Sequence, residues 1–155
     1  QTLATLEVSI VGIEPSMVLT YRDEYPKSLG VKQLPVEIML PQEWLVQKID
    51  QLRSNQILEP LRSYRLLGHC SEKTLALKSQ QQWQNVFKAL GLDLKLEATG
   101  CCGMAGTYGH EKEHYEESRG IFKMSWQHHM PNELTQQATI LATGYSCRSQ
   151  VKRFS

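Results

Sequence analysis

The chain has 155 residues and a mass of 17.7 kDa, room for one compact domain with a real core and not for two. Apolar residues make up 41% and charged residues 21%, which sets aside wholesale disorder. Lysine plus arginine number 17 against 16 acidic residues, and a net charge of +1 argues against a nucleic-acid platform or a polybasic membrane binder. The first element in chain order is an apolar run of strand length over residues 7–13, closed by Glu14-Pro15-Ser16. Ser16 is placed to cap a helix over residues 17–25, which Pro26 stops. Residues 27–40 contain Pro35 and no clear period, and read as the least structured stretch. Pro41 opens a second helix, in which Trp44, Leu45, Ile49 and Leu52 repeat near 3.6 residues.

Residues 64–67 read as a second strand running into Gly68-His69-Cys70. A helix is expected over residues 79–90, with Trp83, Val86, Phe87 and Leu90 on one stripe and Gly91 at its end. Residues 92–98 form a third strand, running into Thr99-Gly100-Cys101-Cys102-Gly103. A long polar-faced helix over residues 111–128 is interrupted by Gly120, and residues 138–143 form a fourth strand before Gly144-Tyr145-Ser146-Cys147. Residues 148–154 start a last helix. Strand and helix thus alternate at βαβ spacing, which predicts an α/β single domain, a mostly parallel sheet of about four strands flanked by helices. Trp44, Trp83 and Phe87 read as core. No apolar run approaches the ~20 residues that cross a bilayer, and no cationic-then-apolar leader opens the chain. With Gln1 in place of Met, the expectation is a soluble cytoplasmic domain excised from something longer.

Four cysteines are too few for a disulfide scaffold, and the adjacent pair Cys101 and Cys102 could bond to each other only with strain. Grouped thiols in a chain without an export signal more often bind metal or do redox chemistry. Cys70, Cys101, Cys102 and Cys147 each follow a predicted strand at its carboxyl end. In an open parallel sheet those ends share one edge, where ligands bind, so the four thiols are expected to converge there. Loops entering helices offer free N–H groups and a positive dipole end, which favour the metal-binding thiolate. Consecutive side chains diverge, so a Cys-Cys pair chelates one zinc awkwardly but can serve different irons of a cluster. Iron–sulfur is therefore preferred, with zinc as the alternative.

These residues resemble the cysteine-rich CCG domain of heterodisulfide reductase subunits and of the iron–sulfur subunits of glycolate oxidase and anaerobic glycerol-3-phosphate dehydrogenase. The likeness is closer still to the carboxyl-terminal region of bacterial FAD-linked D-2-hydroxyacid dehydrogenases of the D-lactate or D-2-hydroxyglutarate type. It is carried by Val11-Gly12-Ile13-Glu14-Pro15-Ser16, Thr20-Tyr21-Arg22-Asp23-Glu24-Tyr25, residues 101–111 and residues 143–150, and extends over nearly all of residues 1–155. The resemblance implies metal ligation by Cys70, Cys101, Cys102 and Cys147, and a cluster, 4Fe–4S among the forms, that relays electrons from flavin. FAD would lie in the parent chain outside this stretch. The implied partners are the parent's FAD and ferredoxin-like segments and a quinone or other acceptor, with a place at the inner-membrane surface compatible and no turnover from the module alone. One departure is plain: the pattern ends in Cys-x-x-Cys, and here one cysteine is missing. Gly144 stands in the first position in one register, and Gln150 in the second position in the other.

A competing motif is His110-Glu111-Lys112-Glu113-His114, which fits the H-E-x-x-H of zinc peptidases, with Glu133 at a tempting distance for a third ligand. Against it, Gly109 directly precedes the motif and Glu117 stands where the longer version needs glycine. His69, His110 and His114 are candidate accessory groups to the cysteine pocket, and His128 and His129 read as solvated helix-end residues. Glu14 and Ser16 follow the first strand and should reach the same edge; Gln150 matches a position that follows the final cysteine in some relatives. Arg22 could meet an anion, although a surface arginine on a helix is the commoner outcome.

Overall fold

The structure, a computed structural model, describes residues 8–54, 63–131 and 138–154. The expected strand over residues 7–13 begins outside them, and Glu133 lies outside them too. Among the described residues there are five strands, all parallel, in two small sheets flanked by helices. β1 (Ile10–Val11) pairs with β2 (Ile38–Met39), so the stretch read as least structured carries a strand. Two residues are too short for alternation to announce themselves in a sequence. The second sheet has β3 (Ser63–Leu67) at its centre, β4 (Leu94–Glu97) on one side and β5 (Ala138–Ala142) on the other. Register sets Leu66 opposite Leu96 and Leu141, and Leu67 opposite Glu97 and Ala142, so the three carboxyl ends lie level.

Proline and the chain's short polar groups set several helix ends. α1 (Pro15–Arg22) takes Pro15 at its first position, where no N–H is needed. Its cap is Glu14, with Ser16 Oγ donating to Glu14 Oε1 at 2.8 Å, so Ser16 does not cap the helix as expected. The chain breaks at Asp23 and resumes as α2 (Glu24–Ser28), in which Pro26 sits in the first turn and stops nothing. α3 (Pro41–Gln47) and α4 (Ile49–Arg53) divide one expected helix at Lys48. α5 (Cys70–Leu75) has no counterpart among the expected elements, whereas α6 (Ser79–Ala89) matches its expected span closely, with Gly91 beyond it at φ +76°. α7 (Tyr115–Ser125) is shorter than expected at both ends, with 3₁₀ turns before and after it, and Gly120 does not interrupt it. α8 (Tyr145–Phe154) starts before residue 148 and takes Cys147 into its first turn.

The main core packs Leu67, Cys102, Met104, Phe122, Trp126 and Cys147 together, between the second sheet and helices α7 and α8. A second cluster joins Val18, Leu19 and Leu40. Trp126 is the fully buried tryptophan, while Trp44, Trp83 and Phe87 are only half-buried. Indole needs one end near a polar partner, and Trp126 has it, donating from Nε1 to Gly100 O at 3.2 Å. His129 is buried as well, against the expectation of a solvated helix end. Its ring lies beside Arg65 and Glu97, where Arg65 Nε donates to Glu97 Oε1 at 2.7 Å. Among the described residues, no helix is long and apolar enough to cross a membrane.

Candidate functional site

Each strand of the second sheet delivers thiols to one rim. Cys70 is the first residue of α5, just beyond β3; Cys101 and Cys102 follow β4; Cys147 lies in the first turn of α8, beyond β5. Cys70, Cys101, Cys102 and Cys147 lie near enough to one another that each of Cys70, Cys101 and Cys102 has its proton affinity shifted by neighbouring thiols, so three loops bring their cysteines into one neighbourhood. All four are free thiols, with Cys102 and Cys147 buried and the other two half-buried. The neighbouring Cys102 and Cys70 thiols, the Gly103 N–H at 3.3 Å and the nearby His69 lower the pKa of Cys101 below the usual thiol range, against the opposing pull of burial. Cys70 is pushed up by its bond to Cys101 and by burial; Cys102 is pushed up by its bonds to Cys101 and Cys147 and by burial.

The loop bearing the Cys-Cys pair is clamped from behind. Gly103 adopts φ +90°, and a Cβ there would overlap the backbone oxygen of Ser118. Ser118 Oγ donates to Gly103 O at 2.8 Å, and Gln150 Nε2 donates to Ser118 Oγ at 2.6 Å. Gln150 is fully buried, so this candidate accessory residue supports the turn through Ser118. Further up the loop, Gly100 N donates to Ser125 Oγ at 2.5 Å.

His69 caps α5. Its Nδ1 accepts from Ser71 N at 3.2 Å, which leaves the proton on Nε2, 3.3 Å from Ser146 Oγ in the first turn of α8. The ring fills the space in front of Gly144, where an added Cβ would overlap His69 Cδ2. Histidine at 69 and a side chain at 144 thus compete for one volume. Glu14 reaches the same end of α8, accepting from Tyr145 N at 2.6 Å, and Ser16 holds that carboxylate.

Three more residues tie the loops together: Thr143, which opens the 143–150 stretch, and Glu72 and Lys73, which lie in no sequence motif. Glu72 is buried and accepts from Gln42 Nε2 at 3.0 Å, from Ser79 Oγ at 2.7 Å and from Thr143 Oγ1. Thr143 in turn accepts from His69 N at 2.9 Å, which ties the Cys70 loop to the Cys147 loop. Lys73 extends from α5 to Thr99, donating to its carbonyl and, at 3.0 Å, to its Oγ1. Only the i+2 and i+3 spacing of Glu72 and Lys73 from a cysteine at a helix start could have flagged them.

The other candidates lie elsewhere. His110 is exposed, and His114 stacks on Tyr108 with centroids 4.0 Å apart and pairs with Glu111 at 3.5 Å. They sit in separate 3₁₀ turns, so the single helical face that H-E-x-x-H requires is absent. Arg22 is committed to a two-pronged pair with Glu43. Among the described residues, no group of three or more His, Cys, Asp or Glu side chains could hold a metal ion.

No protein-family model matches the chain, and no solved structure does. It is similar to a D-2-hydroxyglutarate dehydrogenase of Pseudomonas putida, 49% identical over 155 residues, which is 100% of this chain and 14% of that protein. The same-named protein of Escherichia coli K12 is 40% identical over 97% of the chain and 14% of its own length. A component of the anaerobic glycerol-3-phosphate dehydrogenase of the same organism is 31% identical over 118 residues, 74% of this chain and 29% of that component. The chain therefore spans a small part of each of these relatives.

Proposed function

We propose that residues 1–155 are the cysteine-rich module of a larger FAD-linked D-2-hydroxyacid oxidoreductase, of the kind that acts on D-2-hydroxyglutarate. In this reading Cys70, Cys101, Cys102 and Cys147 hold an iron–sulfur centre that relays electrons from the flavin part of the parent to a quinone or other acceptor. The observation that carries it is the placement of four free thiols just beyond the level carboxyl ends of three paired parallel strands. The similarity to dehydrogenases over the whole chain supports the redox assignment. When bound, the centre would supply one-electron transfer; the protein supplies everything else. Cys101 offers a ready thiolate, the Gly103 N–H stabilises that sulfur, and burial of Cys102 and Cys147 limits water around it. In the register that sets Gly144 at the missing cysteine of Cys-x-x-Cys, His69 is the neighbour at that position.

The test is anaerobic purification of the complete parent chain with iron and sulfide analysis and a visible spectrum. Broad absorption near ~400 nm, bleached by reduction and lost in Cys101→Ser, is the expected result. Iron-free, colourless protein under those conditions would remove the electron-relay reading and leave a zinc-binding docking module where zinc is found, or a thiol-only one where no metal is.

A further inference from the structure

Away from the thiols, the first sheet has an open edge. Gly12 N donates to Met39 O at 2.9 Å, so Gly12 faces β2, and alternation along a strand turns the N–H and C=O of Val11 to the opposite edge. Among the described residues no strand lies there, since the first sheet holds β1 and β2 alone. Between β1 and α3 runs a groove of about 630 Å³ lined by Val8, Val11, Pro41, Trp44, Leu45 and Lys48. Val8 is 65% exposed and Val11 36%, while Trp44 and Leu45 are only half-buried. Open backbone groups along a strand, beside an apolar trough, make the kind of site that strand addition uses. Sheet edges that face solvent in natural proteins are blunted by charge or proline, and Val8-Ser9-Ile10-Val11-Gly12-Ile13 carries neither. We infer that an extended apolar segment of the parent chain, from outside residues 1–155, pairs in parallel with the free edge of β1 and seats its side chains against Trp44 and Leu45. Two considerations choose this occupant over a second copy. The chain amounts to 14% of its Pseudomonas putida relative, so a long tethered remainder is at hand, and tethering gives effective concentrations that reach ~1 mM. Every strand pairing among the described residues is parallel, the geometry of strands joined by long crossovers within one chain. Two copies meeting about a two-fold would instead set β1 against β1 antiparallel.

The inference takes from the proposed function only that residues 1–155 belong to a longer chain, and it needs no metal centre. The test uses the complete parent chain, with a photoreactive benzophenone amino acid at position 8 or, in a separate variant, at position 48; either suffices should the other not fold. Denaturing electrophoresis separates crosslinks within one chain from those between two copies, and mass spectrometry places them. Irradiation should join the probe, within one chain, to an apolar segment outside residues 1–155. In the wild-type parent, the Val11 N–H should exchange with deuterium at least about 100-fold more slowly than open backbone. Crosslinks between two copies, crosslinks confined to residues 1–155, or no crosslink from either position overturn the inference, as does Val11 exchange at the open-backbone rate. Iron content is measured on the same preparations. Iron-free protein with the expected crosslink overturns the iron–sulfur reading and leaves the added strand standing; iron-loaded protein without the crosslink does the reverse.

Discussion

Gly144 shows how one missing side chain shapes the rim. The His69 ring occupies the volume in which a residue at 144 would begin its side chain, so the two positions form a single packing unit across the mouths of β3 and β5. Gly144→Ala should destabilise the protein by about 1–3 kcal/mol, as overpacking of a filled site does. Adding His69→Ala to that variant should return part of the loss, because the second truncation opens the space the first one needs. Urea denaturation of the two single variants and the double variant measures this coupling, and strictly additive losses would contradict it. Gly103 has the same dependence on the absence of Cβ for a different reason, a left-handed backbone beneath the oxygen of Ser118.

Among the elements, α5 does most to bring the loops into contact, although it is only six residues long. A helix that short has no independent stability and is held by its surroundings. Those surroundings are the acceptors of Glu72, which take hydrogen bonds from α3, α6 and the loop after β5. Glu72→Ala leaves Gln42, Ser79 and Thr143 without their buried acceptor and should cost about 2–4 kcal/mol, again by urea denaturation. Glu72→Gln should cost less, and should leave the spacing of Cys70 and Cys147 closer to wild type in cross-linking with short bis-maleimides. Sequence reading finds the strands that carry the cysteines because Leu66 and Leu67, Leu94 and Leu96, and Ile140 and Leu141 stand out as apolar runs before glycine-bearing loops. It misses α5 because Cys-Ser-Glu-Lys-Thr-Leu has no apolar period, and it misses the partnership of Glu72 with Gln42 because the two lie 30 residues apart. The missed strand β2 and the burial of His129 have the same origin: each is fixed by tertiary contact and has no local pattern.

For the molecule as a whole, acid should weaken the fold in two stages. Burial lowers the affinity of His129 for a proton below that of a free imidazole, the His128 charge adds to this, and Glu97 opposes it. Burial pulls Glu43 and Glu97 upward, but hydrogen bonds from Arg22 and Leu40 N to the first, and from Arg65 and Lys95 to the second, leave both below the usual carboxylate range. In all three the unfolded chain binds protons more readily, so stability is lost as pH falls. The first loss should set in as pH drops through 6.5, where unfolded histidine titrates, and the second below 4.5, where unfolded carboxylates do. Urea midpoints between pH 8 and 3.5 should trace both, and His129→Gln should flatten the first; a wild-type midpoint level from pH 7 to 5 would refute it. The order of the strands has one more consequence. β3, at the centre, is made first, β4 second and β5 last; β3 and β5 are each followed by one cysteine and β4 by two. During synthesis on the ribosome, the rim therefore lacks its full set of thiols until the final strand has emerged and docked. Under the proposed reading, a centre that needs all four thiols could be completed only once this stretch has folded.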